Sequence, residues 1–575
     1  MKETLIDIET YSEVDIGKCG LYRYATDPSF EILLVAWATD EGDGFGETRC
    51  ADLVSGEPLP EELLEDFQSG NVRLIAHNAS FERVCFSVHL QRHLPGQYLK
   101  PGEFLSPDSW ICTMVMAASL TLPMALKDVG TVLKTSQQKD KEGERLIRLF
   151  SMPCKPTKSN GMRTRNFPEH YPADWEKFKY YCIQDVNTEV DIYKRLKKFP
   201  MPEQEWKHYR VNERINDRGV KIDTELVQQA IACDLMLSDA MSKKAYELTG
   251  LENPNSVSQL KSWLDERGIP MDTLGKKDVA QMIEELDKNG VDAEAMDMLK
   301  LRLQMAKSSV KKYQAAERCV CSDGRARGLF QFYGASRTGR YSSRNIQLQN
   351  LPQNHISTLD EARELVKLGC FDMVETIYGN TPDVLSQLIR TMLIPKEGCE
   401  FIVADFSAIE ARVLTWEAGE DWRLEAFLEG KDIYCASASQ MFHVPVVKHG
   451  INGELRQKGK VAELACGYGG SSGALISMGA LQMGLKEEEL PEIIDSWREA
   501  NPKIVQYWWD VEKAATQAFK TGKRQEICKL AFEFYSGTLW MLLPSGRKLA
   551  YLKPRLQPNR CGRWCVSYEG VGQIL

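Results

Sequence analysis

Residues 4–12 read TLIDIETYS, and this stretch decides how the first third of the chain is built. Ile6 and Ile8 alternate with Asp7 and Glu9. On a β-strand, residues i and i+2 lie on one face. The spacing therefore predicts a strand over Leu5–Glu9 with both isoleucines turned into a core and both carboxylates turned the other way. Like charges side by side are unfavourable unless something positive lies between them. A divalent metal meets that need, and a solvated strand face is the alternative.

Further along, Ile32–Thr39 and Arg73–Ala76 read as strands, and Ser80–Leu90 and Ala173–Lys198 as helices, an alternating α/β pattern. The segment LIAHNASFE (74–82) places Asn78 and Glu82 just after an apolar strand. The segment YYCIQDV (180–186) places Tyr181 and Asp185 four apart, on one helix face. Four separated acids and a phenol suit two-metal phosphodiester hydrolysis, in which carboxylates hold two cations about 4 Å apart. One cation activates water, the other stabilises the leaving oxygen, and Tyr181 orients the water. Between these motifs, Ser151–Pro172 reads as a long loop carrying Lys155, Lys158, Arg163 and Arg165, either a solvated surface or a nucleic-acid contact.

The DIE at Asp7–Glu9, the HNASFE at His77–Glu82 and the Y-x-x-x-D at Tyr181–Asp185 resemble the three motifs of DEDD-type 3′→5′ exonucleases, in order. The second motif usually ends in Asp; Glu82 keeps the charge and shifts it by one methylene. The resemblance implies an RNase H-like domain with Asp7, Glu9, Glu82 and Asp185 as metal ligands, Tyr181 as a catalytic residue and Asn78 as a DNA contact.

In the second half, Phe401-Ile402-Val403-Ala404 predicts a strand over Glu400–Ala404, followed by Asp405 and a helix from near Ser407. An acid there is a metal position or an N-cap. ADFSAIEAR (404–412) resembles motif A of family A DNA polymerases. The resemblance makes Asp405 catalytic and metal-binding, gives Glu410 a part in excluding ribonucleotides, and gives Arg412 a supporting part. Arg456, Lys460, Leu464 and Tyr468 are spaced by four and form one slowly drifting helical stripe. The stripe suits a nucleoside triphosphate, with phosphates on the cations and the base near Leu464 and Tyr468; an amphipathic helix with a basic edge is the alternative. These positions resemble the family's fingers helix, R-x-x-x-K followed by an aromatic and then Tyr-Gly, with Leu464 where an aromatic is usual. Asp432-Ile433-Tyr434 resembles the family's phosphate-binding Asp-Ile-His. TGRYSSRNIQLQNLP (338–352) resembles its T-G-R-L-S-S…N-L-Q-N motif, which implies primer and duplex contacts for Arg340, Gln349 and Asn350. Lys307, Lys311 and Lys312 read as phosphate contacts at a thumb tip or as a solvated helix.

Composition sets outer limits. The 575 residues suggest three or four domains. The 43% hydrophobic content excludes general disorder, and no run of about 18 apolar residues provides a membrane span. Sixteen cysteines without a C-x-x-C pair argue against a disulfide scaffold or a structural zinc site. The net charge of −9 argues against a simple DNA-coating protein but not against an enzyme with a local basic channel.

The expected architecture is α/β and α+β multidomain: an RNase H-like exonuclease domain (1–200) and a right-hand polymerase domain. The latter comprises a thumb-like helical region (201–330), the first part of the palm (331–420), fingers (421–530) and the start of a returning palm segment (531–575). The family resemblance implies another catalytic carboxylate in a His-Asp-Glu motif beyond Tyr468. None occurs, and Glu569 is the only acid near the end. The palm is therefore expected to be incomplete, through truncation, an interrupted gene or a split polymerase completed by a second chain. The motifs look like those of bacteriophage family A polymerases. They imply primer extension with proofreading, on primer-template DNA, single-stranded 3′ ends and dNTPs. Two Mg²⁺ ions per site are expected, with Mn²⁺ as a substitute, in the cytoplasm, the host's if the gene is viral. The alternatives are a stand-alone exonuclease with a DNA-holding module and a non-catalytic DNA-binding subunit.

Overall fold

The computed structural model describes residues 1–135, 141–289, 292–305, 310–481, 483, 485–559 and 562–570. Contacts divide the chain into two units: residues 1–118 with 123–400, and residues 119–122 with 401–575. This division cuts through the expected 331–420 palm segment.

The first unit is built on a five-stranded mixed sheet: β1 (Lys2–Tyr11), β2 (Glu31–Asp40), β3 (Arg49–Asp52), β4 (Val72–Ala76) and β5 (Trp110–Cys112), in the order β3-β2-β1-β4-β5. β1 is central, antiparallel to β2 and parallel to β4. Its register sets Asp7 opposite Ala36 and Glu9 opposite Leu34, and shifts between Glu9 and Thr10. Such bulges bend a strand and re-aim its side chains. The alternation holds for the isoleucines, since Ile6 and Ile8 are buried; Asp7 is half-buried, but Glu9 is buried as well. β2 is buried on both faces from Ile32 to Ala38 and reads accordingly as a continuous apolar run.

Two helices pack on the sheet, α1 (Ser80–His93) and, further along the chain, α3 (Pro172–Leu196), while α2 (Lys141–Phe150) packs against α3. Pro172 opens α3 at a position where its missing N–H costs nothing. α3 packs across β1 and β2 on Phe178, Cys182 and Val186, all buried. The 151–172 loop contains two short 3-10 turns, and Arg165 lies over the rings of Tyr11 and Phe167 and ion-pairs with Glu31. That arginine holds the loop to the sheet.

Continuing in this unit, α4 (Glu203–Arg218) is followed by α5 (Thr224–Thr249) and α6 (Val310–Cys319), which share a core with Leu226, Tyr313 and Leu385. A hairpin of β6 (Phe330–Ala335) and β7 (Arg340–Ser343) follows. Lys307 lies outside the described residues.

The second unit is helical, then β. It runs through α7 (Ile409–Ala418), α8 (Asp421–Leu428), α9 (Ile433–Phe442), α10 (Leu455–Cys466), α11 (Leu490–Ala500) and α12 (Pro502–Thr521). An antiparallel meander follows: β8 (Gln525–Ile527), β9 (Leu530–Tyr535), β10 (Thr538–Leu542), β11 (Lys548–Pro558) and β12 (Trp564–Glu569). Leu120 joins this unit by accepting the Ala550 amide at 3.1 Å. The strand expected at Glu400–Ala404 does not form. Residues 401–406 have no ladder partner among the described residues, and Ile402 and Val403 are 93% and 88% exposed. Apolar composition makes a strand only where a neighbour takes up the backbone hydrogen bonds.

Candidate active site

In the first unit the expected acids come together. Asp7 and Glu9 lie on β1, Glu82 in the first turn of α1, and Asp185 on α3. Glu9, Glu82 and Asp185 are buried. Burial pushes the Glu82 carboxyl well above the usual carboxylate range, and the charges of Asp7, Glu189 and Glu9 push it further. Glu82 Oε2 is buried without a hydrogen-bond partner. The Tyr181 phenol is raised by burial and then by Asp185, Glu9 and Asp7. The phenol therefore stays protonated amid the carboxylates.

This donor set fits a cation: hard oxygen ligands, mutual repulsion and a buried oxygen without a partner. Among the described residues no three His, Cys, Asp or Glu side chains are already arranged to hold one metal ion. The fit rests on the chemistry of the set and on the Glu82 oxygen.

The turn that delivers Glu82 is held from two sides. Asn78 takes φ +75°, a left-handed conformation that Asn tolerates. On one side, Ser80 Oγ donates to Glu213 Oε2 of α4 at 2.7 Å. Arg83, next to Glu82 and fully buried, donates to Glu213 at 3.1 Å and to both Asp217 oxygens at 2.8 and 2.9 Å. On the other side stands Glu189, a buried acid that motif reading missed. It repeats the four-residue spacing of Tyr181 and Asp185, which was the available signal.

Asn78 also borders a cavity of about 310 Å³, lined among others by Phe81, Tyr209, Asn212, Phe332 and Arg344. Asn212 is buried, and its Oδ1 accepts no hydrogen bond. Arg340 opens β7 and is exposed, as are Gln349 and Asn350 in a 3-10 turn and Lys311 on α6. Lys312 anchors the loop before that turn, donating to the Ile346 carbonyl at 3.1 Å and to Gln347 at 2.9 Å.

In the second unit Asp405 is exposed in the unpaired 401–406 segment. Glu410 stands in the first turn of α7, and Arg412 Nε donates to the Ser407 carbonyl at 2.7 Å, tying the intervening turn together. Arg456, Lys460 and Leu464 lie along α10, but Tyr468 falls past its end, in a turn after Gly467. The helix stops because its last carbonyls are taken up by the amides of a glycine-rich turn, Ala465 accepting from Gly470 and Cys466 from Gly469. Asp432 caps α9 by accepting from the Tyr434 and Cys435 amides at 2.9 and 3.2 Å. It also accepts from Arg456 at 2.8 and 3.0 Å, and Arg456 lies over the Tyr434 ring. Burial works to raise the Asp432 carboxyl, but the guanidinium and the two amides outweigh it and hold it low.

The signature of the family described as DNA polymerase family A matches residues 229–529. The DNA polymerase of Bacillus phage SP02 is 52% identical over 572 residues, 99% of this chain and 85% of that protein. DNA polymerase I of Geobacillus stearothermophilus is 27% identical over 303 residues, 52% of this chain and 31% of that protein. The POL domain of Pol1 from M. smegmatis, solved in complex with DNA primer-template and dNTP, shares the fold at a TM-score of 0.55 and 17% identity. That likeness covers 96% of this chain and 78% of that one. The fold is thus that of a right-hand DNA polymerase. The chain belongs to DNA polymerase family A and is a DNA-directed DNA polymerase. Enzymes of this family use divalent metals. No helix among the described residues is long and apolar enough to cross a membrane.

Proposed function

We propose that the chain couples its polymerase to a 3′→5′ proofreading exonuclease in residues 1–200, centred on Asp7, Glu9, Glu82 and Asp185. The observation that carries this reading is Glu82: a buried carboxylate with a partnerless oxygen, facing the charges of Asp7 and Glu9. Two divalent cations, Mg²⁺ by default and Mn²⁺ as a substitute, would be held by these acids and would supply Lewis acidity and a more acidic bound water. Tyr181 keeps its proton and directs its hydroxyl at the attacking water. The unpaired 3′ end enters beside Asn78, where the Asn212 Oδ1 acceptor and the rings of Phe81 and Phe332 suit a nucleobase with N–H donors. Residues 201–330 serve as thumb, 331–420 as the first part of the palm, 421–530 as fingers, and 531–575 as a returning palm segment. Arg340, Gln349, Asn350 and Lys311 contact primer-template DNA. Arg456, Lys460, Leu464 and Tyr468 take the dNTP, with Glu410 at its sugar.

The test is a 5′-labelled single-stranded oligonucleotide incubated with the full chain and MgCl₂. Shortening from the 3′ end should occur, vanish in Asp7→Ala and survive in Asp405→Ala. Shortening that persists in Asp7→Ala, or fails in the unaltered chain, sinks the reading.

The exposed 401–406 segment favours one further point: Asp405 works when that segment gains a strand partner from a second chain. Primer extension that needs no added polypeptide and ignores Asp405→Ala would overturn it. Replication of viral DNA is the setting that fits these activities.

A further inference from the structure

Glu189 is an acid too many for a four-carboxylate site. It lies one turn beyond Asp185 on α3, is 1% exposed, and stands close enough to Asp7 to feel its charge. Its hydrogen bonds lead away from the other acids. Thr113, directly after β5, donates from Oγ1 to Glu189 Oε1 at 2.9 Å. The backbone N–H of His77 donates to the same carboxylate. The His77 ring closes the circuit: Nδ1 is 2.9 Å from Thr113 Oγ1, and Nε2 is 2.8 Å from the Met124 carbonyl.

Donor and acceptor chemistry fixes one end of this circuit. The Met124 carbonyl only accepts, so Nε2 carries a hydrogen. Thr113 has one hydroxyl hydrogen, and it goes to Glu189. The Thr113 hydroxyl thereby links the His77 ring to Glu189. The circuit joins three segments of the chain that flank the acids. Its covalent attachments decide its use. Glu189 is rigidly linked to Asp185 along α3, and His77 is followed by the left-handed Asn78 and the first turn of α1, which carries Glu82.

We propose that Glu189, through Thr113 and His77, is a positioning residue that fixes the separation of Asp185 from Glu82. This rests on the exonuclease reading above. It makes no contact with substrate. Carboxylates that must be held to within about 0.5 Å of their productive geometry need such support, and outer partners of this kind are worth about 10–100-fold in metal affinity or activity.

The experiment compares Glu189→Gln, Thr113→Val, Thr113→Ser and the Glu189→Gln/Thr113→Val pair in the full chain, with Asp7→Ala as control. Two quantities are read: 3′-end degradation of a single-stranded oligonucleotide against MgCl₂ concentration, and the rise in Tm on adding MgCl₂ without DNA. Glu189→Gln and Thr113→Val should raise the half-saturating Mg²⁺ concentration or lower kcat by about 10-fold or more, with KM for the oligonucleotide within about twofold. They should also shrink the Mg²⁺-induced rise in Tm. Thr113→Ser should behave as the unaltered chain, and the pair should be no worse than either single change. Asp7-dependent degradation that Thr113→Val leaves untouched, in both rate and Mg²⁺ dependence, overturns the proposal alone. Single effects that multiply in the pair overturn it as well. Degradation indifferent to Asp7→Ala overturns the exonuclease reading and this proposal with it. Should Glu189→Gln fail to fold, the Thr113→Val and Thr113→Ser comparison decides the same question.

Discussion

Arg423 and Glu463 form a doubly hydrogen-bonded ion pair inside the 401–575 unit, with Nη1 to Oε1 at 2.7 Å and Nη2 to Oε2 at 2.6 Å. Both side chains are buried, Arg423 completely. Three further hydrogen bonds fix the pair: Arg423 also donates to Thr415 and Asn501, and Trp497 donates to Glu463 at 2.9 Å. The pair ties α8 to α10, the helix that carries Arg456 and Lys460.

Removing one partner strands the other charge in an apolar interior. Glu463→Ala should therefore destabilise this unit by about 3–5 kcal/mol, whereas Arg423→Met with Glu463→Leu should recover most of that loss. Urea unfolding of the three proteins measures both. A Glu463→Ala protein within about 1 kcal/mol of the parent would mean that water reaches the pair.

That pair also shows where sequence reading stops. In the sequence Arg423 and Glu463 look like ordinary helix-surface charges, since burial of a charge is decided by partners forty residues away. The DIE strand is legible because the two-residue period states which side chains share a face, and the Tyr181–Asp185 pair because the four-residue period does the same on a helix. Glu189 carries that same period but escapes notice because no motif ends there. The segment at Glu400–Ala404 fails for the opposite reason. Its composition satisfies a strand, but a strand is a relation between two segments, and one segment cannot report its partner. The four-residue spacing places Tyr468 on the stripe, but Gly467, Gly469 and Gly470, readable in the sequence as a helix end, stop the helix before it.

Gly143 on α2 lies against the ring of Tyr181: a Cβ there would come within 2.1 Å of Cε2 and 2.7 Å of Cζ. Gly143→Ala must push that ring aside, at an overpacking cost of about 1–3 kcal/mol. Since a displacement of about 1 Å at a reacting group costs about 100-fold, 3′-end degradation should fall by roughly 10–100-fold with oligonucleotide KM little changed. In a Tyr181→Phe background the same change should cost far less. Equal losses in both backgrounds would show that Gly143 acts on something other than the hydroxyl.

Asp432 does two jobs that substitutions can separate. As N-cap of α9 it accepts two amides, and as a counter-ion it holds Arg456. Asn caps as well as Asp but lacks the charge, so Asp432→Asn should cost about 0.5 kcal/mol and Asp432→Ala about 1–2 kcal/mol. Thermal unfolding of the two variants side by side checks the order. If Asn proves as costly as Ala, the ion pair is the main contribution and the cap is minor.

The raised carboxyls of Glu82 and Glu189 make stability depend on pH and on divalent cations together. Both owe the shift first to burial and then to the charge of Asp7. A folded-state pKa above the unfolded one means that the native state keeps protons the unfolded chain has already released. The associated stability is fully present below the ordinary glutamate range near about 4.3 and is lost as pH rises through the elevated values. A cation among the acids offsets the repulsion and binds only the native state, so it stabilises by mass action. In EDTA, Glu82→Gln should therefore gain Tm relative to the parent as pH is raised from about 5 to 8, because it removes one of the groups that must ionise. With MgCl₂ the ranking should reverse at the upper pH, since the variant has given up a ligand. Calorimetric scans of both proteins at the two pH values, in EDTA and in MgCl₂, give the four differences required. A Tm gap between parent and Glu82→Gln that is the same in all four conditions would mean that Glu82 neither titrates in this range nor meets a cation.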